Sequence, residues 1–133
     1  MVLGVFSLFE DELKMYNLFI THIDKDEDEY SIFIQKLSGT LEYQNLGTLE
    51  KINENDLMEQ INPVEVVIVL SGLYNKYKSI IKKQVDIAVK LDKPIIVIRP
   101  YGMENVPEEL DEIATDIVGW NAPCIAESIE DIV

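Results

Sequence analysis

Positive charge is scarce in this chain. Eleven lysines and arginines stand against 25 aspartates and glutamates, giving a formal net charge of −14 and a pI near 4.3. A surface of that sign repels phosphate backbones and anionic lipid heads, so no nucleic acid and no membrane surface is expected as a partner. Lys76, Lys78, Lys82 and Lys83 do not form a binding patch; they sit among tyrosines on one helical pattern and read as its solvated side. Cysteine is limited to Cys124, which excludes an internal disulfide framework and fits a reducing cytoplasm. With one histidine in the whole chain to activate it, that thiol reads as a packed one. Long apolar runs are missing too: the opening residues 1–9 are apolar but too short for a span, lack a basic leader, and run into Glu10, Asp11 and Glu12. They read as part of the domain or as an oligomer contact. Neither G-x-G-x-x-G nor G-x-x-x-x-G-K occurs, so those two phosphate-binding modes have no support.

What is present is patterned for one globular domain. Hydrophobic residues make up 47% of the 133 and charged ones 27%, an ordinary balance for a chain that closes a single core. Residues 18–21 read as a short strand ending at His22, followed by the acidic stretch 24–29 and a helix over 30–37. Residues 42–46 make a weak second strand, and 53–61 a helix capped by Asn53 or Asn55 that stops before Pro63. The run 64–70 is almost continuously aliphatic, which a strand requires when both faces are covered. A loop over 71–78, a helix over 77–91 and a second buried strand over 94–98 follow. Pro107 is a plausible first residue for a helix over 108–114, residues 117–119 a last strand, and 126–133 a terminal helix. Strands alternating with helices define an α/β, doubly wound sheet, whose ligands bind beyond the carboxyl ends of the strands. The loops there are 22–29, 47–52, 71–78 and 99–104.

One polar residue stands in an apolar stripe. Ile80, Gln84, Ile87 and Leu91 share a helical face, so Gln84 points toward the sheet and away from Lys82, Lys83, Asp86 and Lys90. A buried amide without partners costs about 1–3 kcal/mol, so either a structural hydrogen bond or a ligand must satisfy it. His22, at the end of the first strand, can be structural or touch a substrate. Ser71, Tyr74, Tyr77 and Ser79 supply hydroxyls and rings suited to ribose and base contacts, or simply a polar loop. Asp24, Asp26 and Asp28 imitate the start of a calcium loop, but Glu29 replaces its glycine and Gln35 its final glutamate, so no metal is expected. A phosphorelay receiver would need an aspartate where Ser71 stands.

Several segments resemble the bacterial and archaeal TIR-like (Toll/interleukin-1 receptor homology) family. They are Tyr16-Asn17-Leu18-Phe19-Ile20-Thr21-His22, Val69-Leu70-Ser71-Gly72, Ser79-Ile80-Ile81-Lys82-Lys83-Gln84, Lys93-Pro94-Ile95-Ile96-Val97-Ile98-Arg99-Pro100-Tyr101-Gly102, Val106-Pro107 and Ile117-Val118-Gly119-Trp120-Asn121. The similarity is nearest to the branch that includes the TIR proteins of Thoeris anti-phage systems. It covers residues 16–133 and leaves 1–15 as an N-terminal extension.

The resemblance implies a flavodoxin-like doubly wound sheet of about five parallel strands with helices on both faces. It also implies a cytoplasmic enzyme that cleaves the nicotinamide N-glycosidic bond of NAD and releases an ADP-ribose-derived messenger for a separate effector. NAD would be the substrate, with no further cofactor, and a homo-oligomer is possible. The family's catalytic glutamate lies five positions after a serine in a Ser-Trp-x-x-x-Glu-like motif. Counted from Ser79 that position is Gln84, with Ile80 in place of the tryptophan. Ser71, Gly72, Tyr74 and Ser79 would line the pocket, His22 would form its first-strand wall, and Arg99 would meet the diphosphate. A carboxylate stabilises the positive charge left on the ribose, whereas an amide has the shape without the charge; the loss is on the order of 10²–10³ in rate. The chain therefore reads as an inactivated copy of such an enzyme or as a natural pseudoenzyme. The alternatives are a TIR module that only binds NAD or partners, and a nucleoside deoxyribosyltransferase-like enzyme.

Overall fold

A computed structural model describes residues 15–47, 53–99 and 105–133. The extension 1–15, apart from Met15, and most of the loops expected over 47–52 and 99–104 lie outside the described residues. The described chain runs β1 (Tyr16–Ile20), α1 (Asp28–Leu37), β2 (Tyr43–Asn45), α2 (Glu54–Ile61), β3 (Val66–Leu70), α3 (Ser71–Lys76), α4 (Lys78–Lys90), β4 (Ile95–Ile98), α5 (Glu108–Ile113), β5 (Asp116–Val118) and α6 (Ala122–Ile132). The five strands form one all-parallel sheet in the order β2-β1-β3-β4-β5.

The apolar runs explain which strands lie inside. All five residues of β3 and all four of β4 are buried, as strands covered on both faces must be. Alternation then divides their side chains between two cores. Leu18, Ile20, Ile68, Leu70 and Ile96 face α1 and α6, where Phe33, Leu37, Ile125 and Ile129 meet them. Phe19, Val67, Val69, Ile95 and Val97 face α2, α4 and α5 through Leu57, Ile61, Ile81, Val85 and Leu110. Helices therefore cover both faces of the sheet. None of the described helices is long and apolar enough to cross a membrane.

Caps set the helix starts. Glu27 accepts from the N–H of Tyr30 at 3.0 Å, Asn53 from Asp56 at 2.9 Å, and Asn121 from Cys124 at 3.1 Å, each satisfying one orphan donor of a first turn. Asn121 explains why α6 begins at Ala122, four residues before the expected start at 126. Pro107 stands one residue before α5, at the N-cap position and not at the expected first helical residue, and makes no side-chain cap bond. Asp92 turns the chain after α4 in the left-handed region, at φ 56°, which aspartate tolerates better than most residues.

Three further expectations are corrected. Cys124 is exposed, not a packed thiol. The segment over 71–78 is not a loop: Ser71–Lys76 is helical, because Leu73 drops into the α1/α6 core while Tyr74 drops into the other. The face of α4 is also rotated from the expected stripe. Ile81, Gln84, Val85, Ile87 and Ala88 are buried, whereas Ile80 is 47% exposed.

Candidate functional site

In this strand order the chain leaves β1 toward β2 on one side and resumes at β3 on the other. The crevice of a doubly wound sheet opens at that reversal, beyond the carboxyl ends of β1 and β3. Thr21-His22 and Ser71-Gly72 follow those two ends directly, and all but Gly72 are buried. The strands stay stitched past their last residues: the Thr21 N–H donates to Ile68 O at 2.9 Å, and the Leu70 N–H donates to the Thr21 hydroxyl at 3.3 Å.

Gln84 reaches this place from α4. Its Oε1 accepts from the His22 N–H at 3.2 Å and its Nε2 donates to His22 O at 2.9 Å. The side chain thus mimics a neighbouring peptide group, extending the hydrogen bonding of β1 beyond the sheet. Both amide functions are used, and Gln84 is only 1% exposed. A carboxylate could accept from the N–H but could not donate to the carbonyl.

His22 is 3% exposed, with its ring stacked on Tyr30 at a centroid distance of 4.6 Å. Its Nδ1 lies 2.8 Å from Ile20 O; since a carbonyl only accepts, Nδ1 carries a proton there. Burial pushes the imidazole below its ordinary value, and the Ile20 hydrogen bond and the charge of Asp24 offset this only in part. At neutral pH the ring is neutral.

A second polar network braces the same end. Asn45, the last residue of β2, donates from Nδ2 to the Tyr30 hydroxyl at 2.7 Å and accepts at Oδ1 from the Gly47 N–H at 3.2 Å. Burial pushes the Tyr30 phenol above its usual range despite the Asn45 bond. Gly47 packs so closely that a Cβ there would lie 3.1 Å from Phe19 and 3.2 Å from His22. At Gly72 the demand is stricter, because a Cβ would collide with both oxygens of the Glu29 carboxylate. The Ser71 hydroxyl beside it is fully buried and has no hydrogen-bond partner.

The structure therefore brings Gln84, His22, Ser71 and Gly72 to one end of the sheet. Tyr74 points elsewhere: from α3 it packs against α4 and α5, hydrogen-bonded to Glu109, with Lys78 Nζ 5.8 Å above its ring. Desolvation, reinforced by Glu109, pushes its phenol up to about 12. Ser79 is exposed and lies five residues before Gln84, about 140° around the helix at 3.6 residues per turn. Arg99 is exposed after β4, its N–H bonded to Val118 O at 2.9 Å. A groove of about 350 Å³ runs outside the crevice between α2 and α4, lined by Asn53, Glu54, Leu57, Lys83, Asp86 and Ile87. Among the described residues no group of three or more His, Cys, Asp or Glu side chains could hold a metal ion.

Asn45, Tyr30 and Glu29 escaped the sequence reading. Asn45 ends a weak three-residue strand, and Glu29 was one acid in an acidic stretch; only the Gly72 that follows a buried strand hinted at a close approach.

Five parallel strands in this order, helices on both faces, and polar groups gathered where β1 and β3 end define a flavodoxin-like domain of the TIR-like class. Residues 10–105 match the family described as Thoeris protein ThsB, TIR-like domain. The chain belongs to that family, and so to a group of defence-related TIR modules. No curated protein matches the chain.

Proposed function

We propose that this chain is a TIR-type signalling module of anti-phage defence that recognises NAD or an ADP-ribose-derived nucleotide and, with Gln84 in place, does not cleave it efficiently. Family membership supports the nucleotide class. The observation that carries the restraint on catalysis is the double hydrogen bond between Gln84 and the main chain of His22. Breaking the nicotinamide N-glycosidic bond sends the bonding electron pair away with nicotinamide and leaves positive charge on the ribose. An enzyme meets that charge with a fixed carboxylate. Here the corresponding side chain is neutral, inaccessible and already committed to holding β1.

The messenger-making role, in which an ADP-ribose-derived product activates a separate effector, belongs in this reading to a chain with the carboxylate. The present one acts as a receiver of such nucleotides, in the cytoplasm to which its single cysteine is suited. Calorimetry with NAD and ADP-ribose, run beside an assay of nicotinamide release, tests this. Binding with release at background is the expected result. Rapid release by the unaltered chain would overturn the restraint, and no binding of either nucleotide at millimolar concentration would favour a module that contacts only proteins.

A further inference from the structure

A cavity of about 290 Å³ opens between α1 and β2, at the edge of the sheet where β2 has no further strand beside it. Lys25, Tyr30, Ser31, Gln35, Tyr43 and Asn45 line it, with Ile34 as its apolar wall. Its charge sets it apart in so acidic a chain. The groove between α2 and α4 carries Glu54 and Asp86, and the cleft beside Tyr74 carries Asp86 and Glu109, whereas no carboxylate lines this cavity. Its one charged group is the Lys25 ammonium, which makes no ion pair with the described residues. Ser31 Oγ donates to Lys25 O at 3.5 Å and so ties the main chain there to α1. The acids that flank Lys25 in sequence meet each other instead: Asp24 accepts from the Asp26 N–H at 3.0 Å.

Tyr30 is the most buried of the lining residues, at 8% exposed. Its oxygen accepts from Asn45 Nδ2 at 2.7 Å. That amide cannot be turned round, because Asn45 Oδ1 already accepts from the N–H groups of Gly47 and Ile20 at 3.2 and 3.4 Å. A phenol both accepts and donates, and the Tyr30 proton finds no acceptor among the described residues. Burial pushes the phenols of Tyr30 and Tyr43 above their usual range, so both remain protonated donors at neutral pH.

We propose that this cavity binds the phosphate group of a small phosphate monoester. Lys25 supplies the charge, and the Tyr30 and Tyr43 hydroxyls with the Gln35 amide supply neutral donors. Lysine meets phosphate as a point charge, and the terminal oxygens of a monoester accept from several donors at once in charge-assisted bonds. The volume lies at the small end of ligand cavities, which leaves room for a short organic part against Ile34 and the Tyr43 ring. This inference is independent of the nucleotide reading, which concerns the β1/β3 crevice. Tyr30 adjoins both places, since its ring stacks on His22.

A chain of net charge −14 repels anions in general, so binding here must come from the local set of donors. Glycerol phosphate and inorganic phosphate are titrated into the unaltered chain at fixed ionic strength, with the backbone amides followed by NMR. Saturating shifts at Lys25, Tyr30, Ser31, Gln35 and Tyr43 are the expected result. Affinity should fall about 10-fold in Lys25→Gln, the scale of one lost bond to a charged group. Gln35→Ala should weaken binding in the same direction. Lys36→Gln removes an equal charge from α1 outside the cavity and should leave binding nearly unchanged. All three positions are exposed, and thermal unfolding establishes that each variant is folded. No saturable shift with either ligand would overturn the proposal, as would shifts centred on Thr21, Ser71 and Gly72, which place the ion in the crevice. Equal weakening by Lys25→Gln and Lys36→Gln would overturn it too, because it shows diffuse attraction without a site.

Discussion

Gln84 holds His22 by the main chain, not by the ring: one amide oxygen and one amide nitrogen meet the N–H and the C=O of the same residue, at 3.2 and 2.9 Å. This fastens the middle of α4 to the end of β1, across 62 residues of sequence. It leaves the imidazole free to stack on Tyr30 and to bond Ile20.

Truncating the amide should be costly. Gln84→Ala leaves a buried N–H and a buried C=O of His22 without their partner, and each unsatisfied group costs about 1–3 kcal/mol. Chemical denaturation should therefore show a loss of roughly 2–6 kcal/mol. A loss near zero would mean that water replaces the amide at no penalty.

The histidine gives the fold a pH dependence of definite sign. Burial lowers its pKa below the ordinary 6.5, so the unfolded chain binds the proton first. The contribution to stability is complete above about 6.5 and declines as pH falls from there toward the lowered folded value. Overall acidity works the other way, since repulsion within a chain of net charge −14 eases toward its pI. The effect is therefore read as a difference: between pH 8 and pH 5, the unaltered protein should lose more stability than His22→Asn, which keeps a donor for Ile20 O. Parallel pH profiles would contradict the neutral, buried imidazole.

Alkaline titration should find a late step that belongs to Tyr74. Tyr74, pushed up to about 12 by desolvation and by Glu109, should stay protonated after the exposed phenols have ionised, and Tyr74→Phe should remove that late step in ultraviolet absorbance. Its raised pKa contributes stability that is present below about 10 and lost as pH rises toward 12. If the titration curves of the two proteins differ near pH 10 instead, the phenol is not held by this packing.

Self-association should respond to salt. A net charge of −14 opposes pairing of identical chains, and salt screens that repulsion. Added salt should promote assembly, and deleting residues 1–9, the apolar opening, should weaken it. Light scattering that shows a monomer at every salt concentration, with and without NAD, would contradict this.

Much of the architecture was legible because β3 and β4 are nearly pure aliphatic runs: such strands admit only a central place in a parallel sheet. Helix starts were legible where a side-chain cap was recognised, as at Asn53, and missed where it was not, as at Asn121. The helix over Ser71–Lys76 was hidden because its Ser-Gly opening signals a turn, while its cause lies in two cores that take Leu73 and Tyr74 from opposite sides. In the site, the buried place of Gln84 followed from helical periodicity, although Ile80 proved to lie off the buried face. Its partner could not be read, since a side chain that bonds a main chain 62 residues away leaves no mark in the partner's side chain. The approach of Glu29 to Gly72 was equally silent, since it depends on the absence of a Cβ there.

The central claim is that position 84 requires an amide to hold His22, and its most direct test is the unfolding free energy of Gln84→Glu against the unaltered chain at pH 8 and pH 5. A carboxylate there places an oxygen against His22 O, which raises the carboxyl's folded pKa above its unfolded value near 4.3. A raised pKa means that stability is lost as pH rises through it. The variant should therefore be less stable by about 1–3 kcal/mol at pH 8. The deficit should shrink at pH 5, where a protonated carboxyl again donates to the carbonyl. Equal stability of the two proteins at both pH values would contradict the claim.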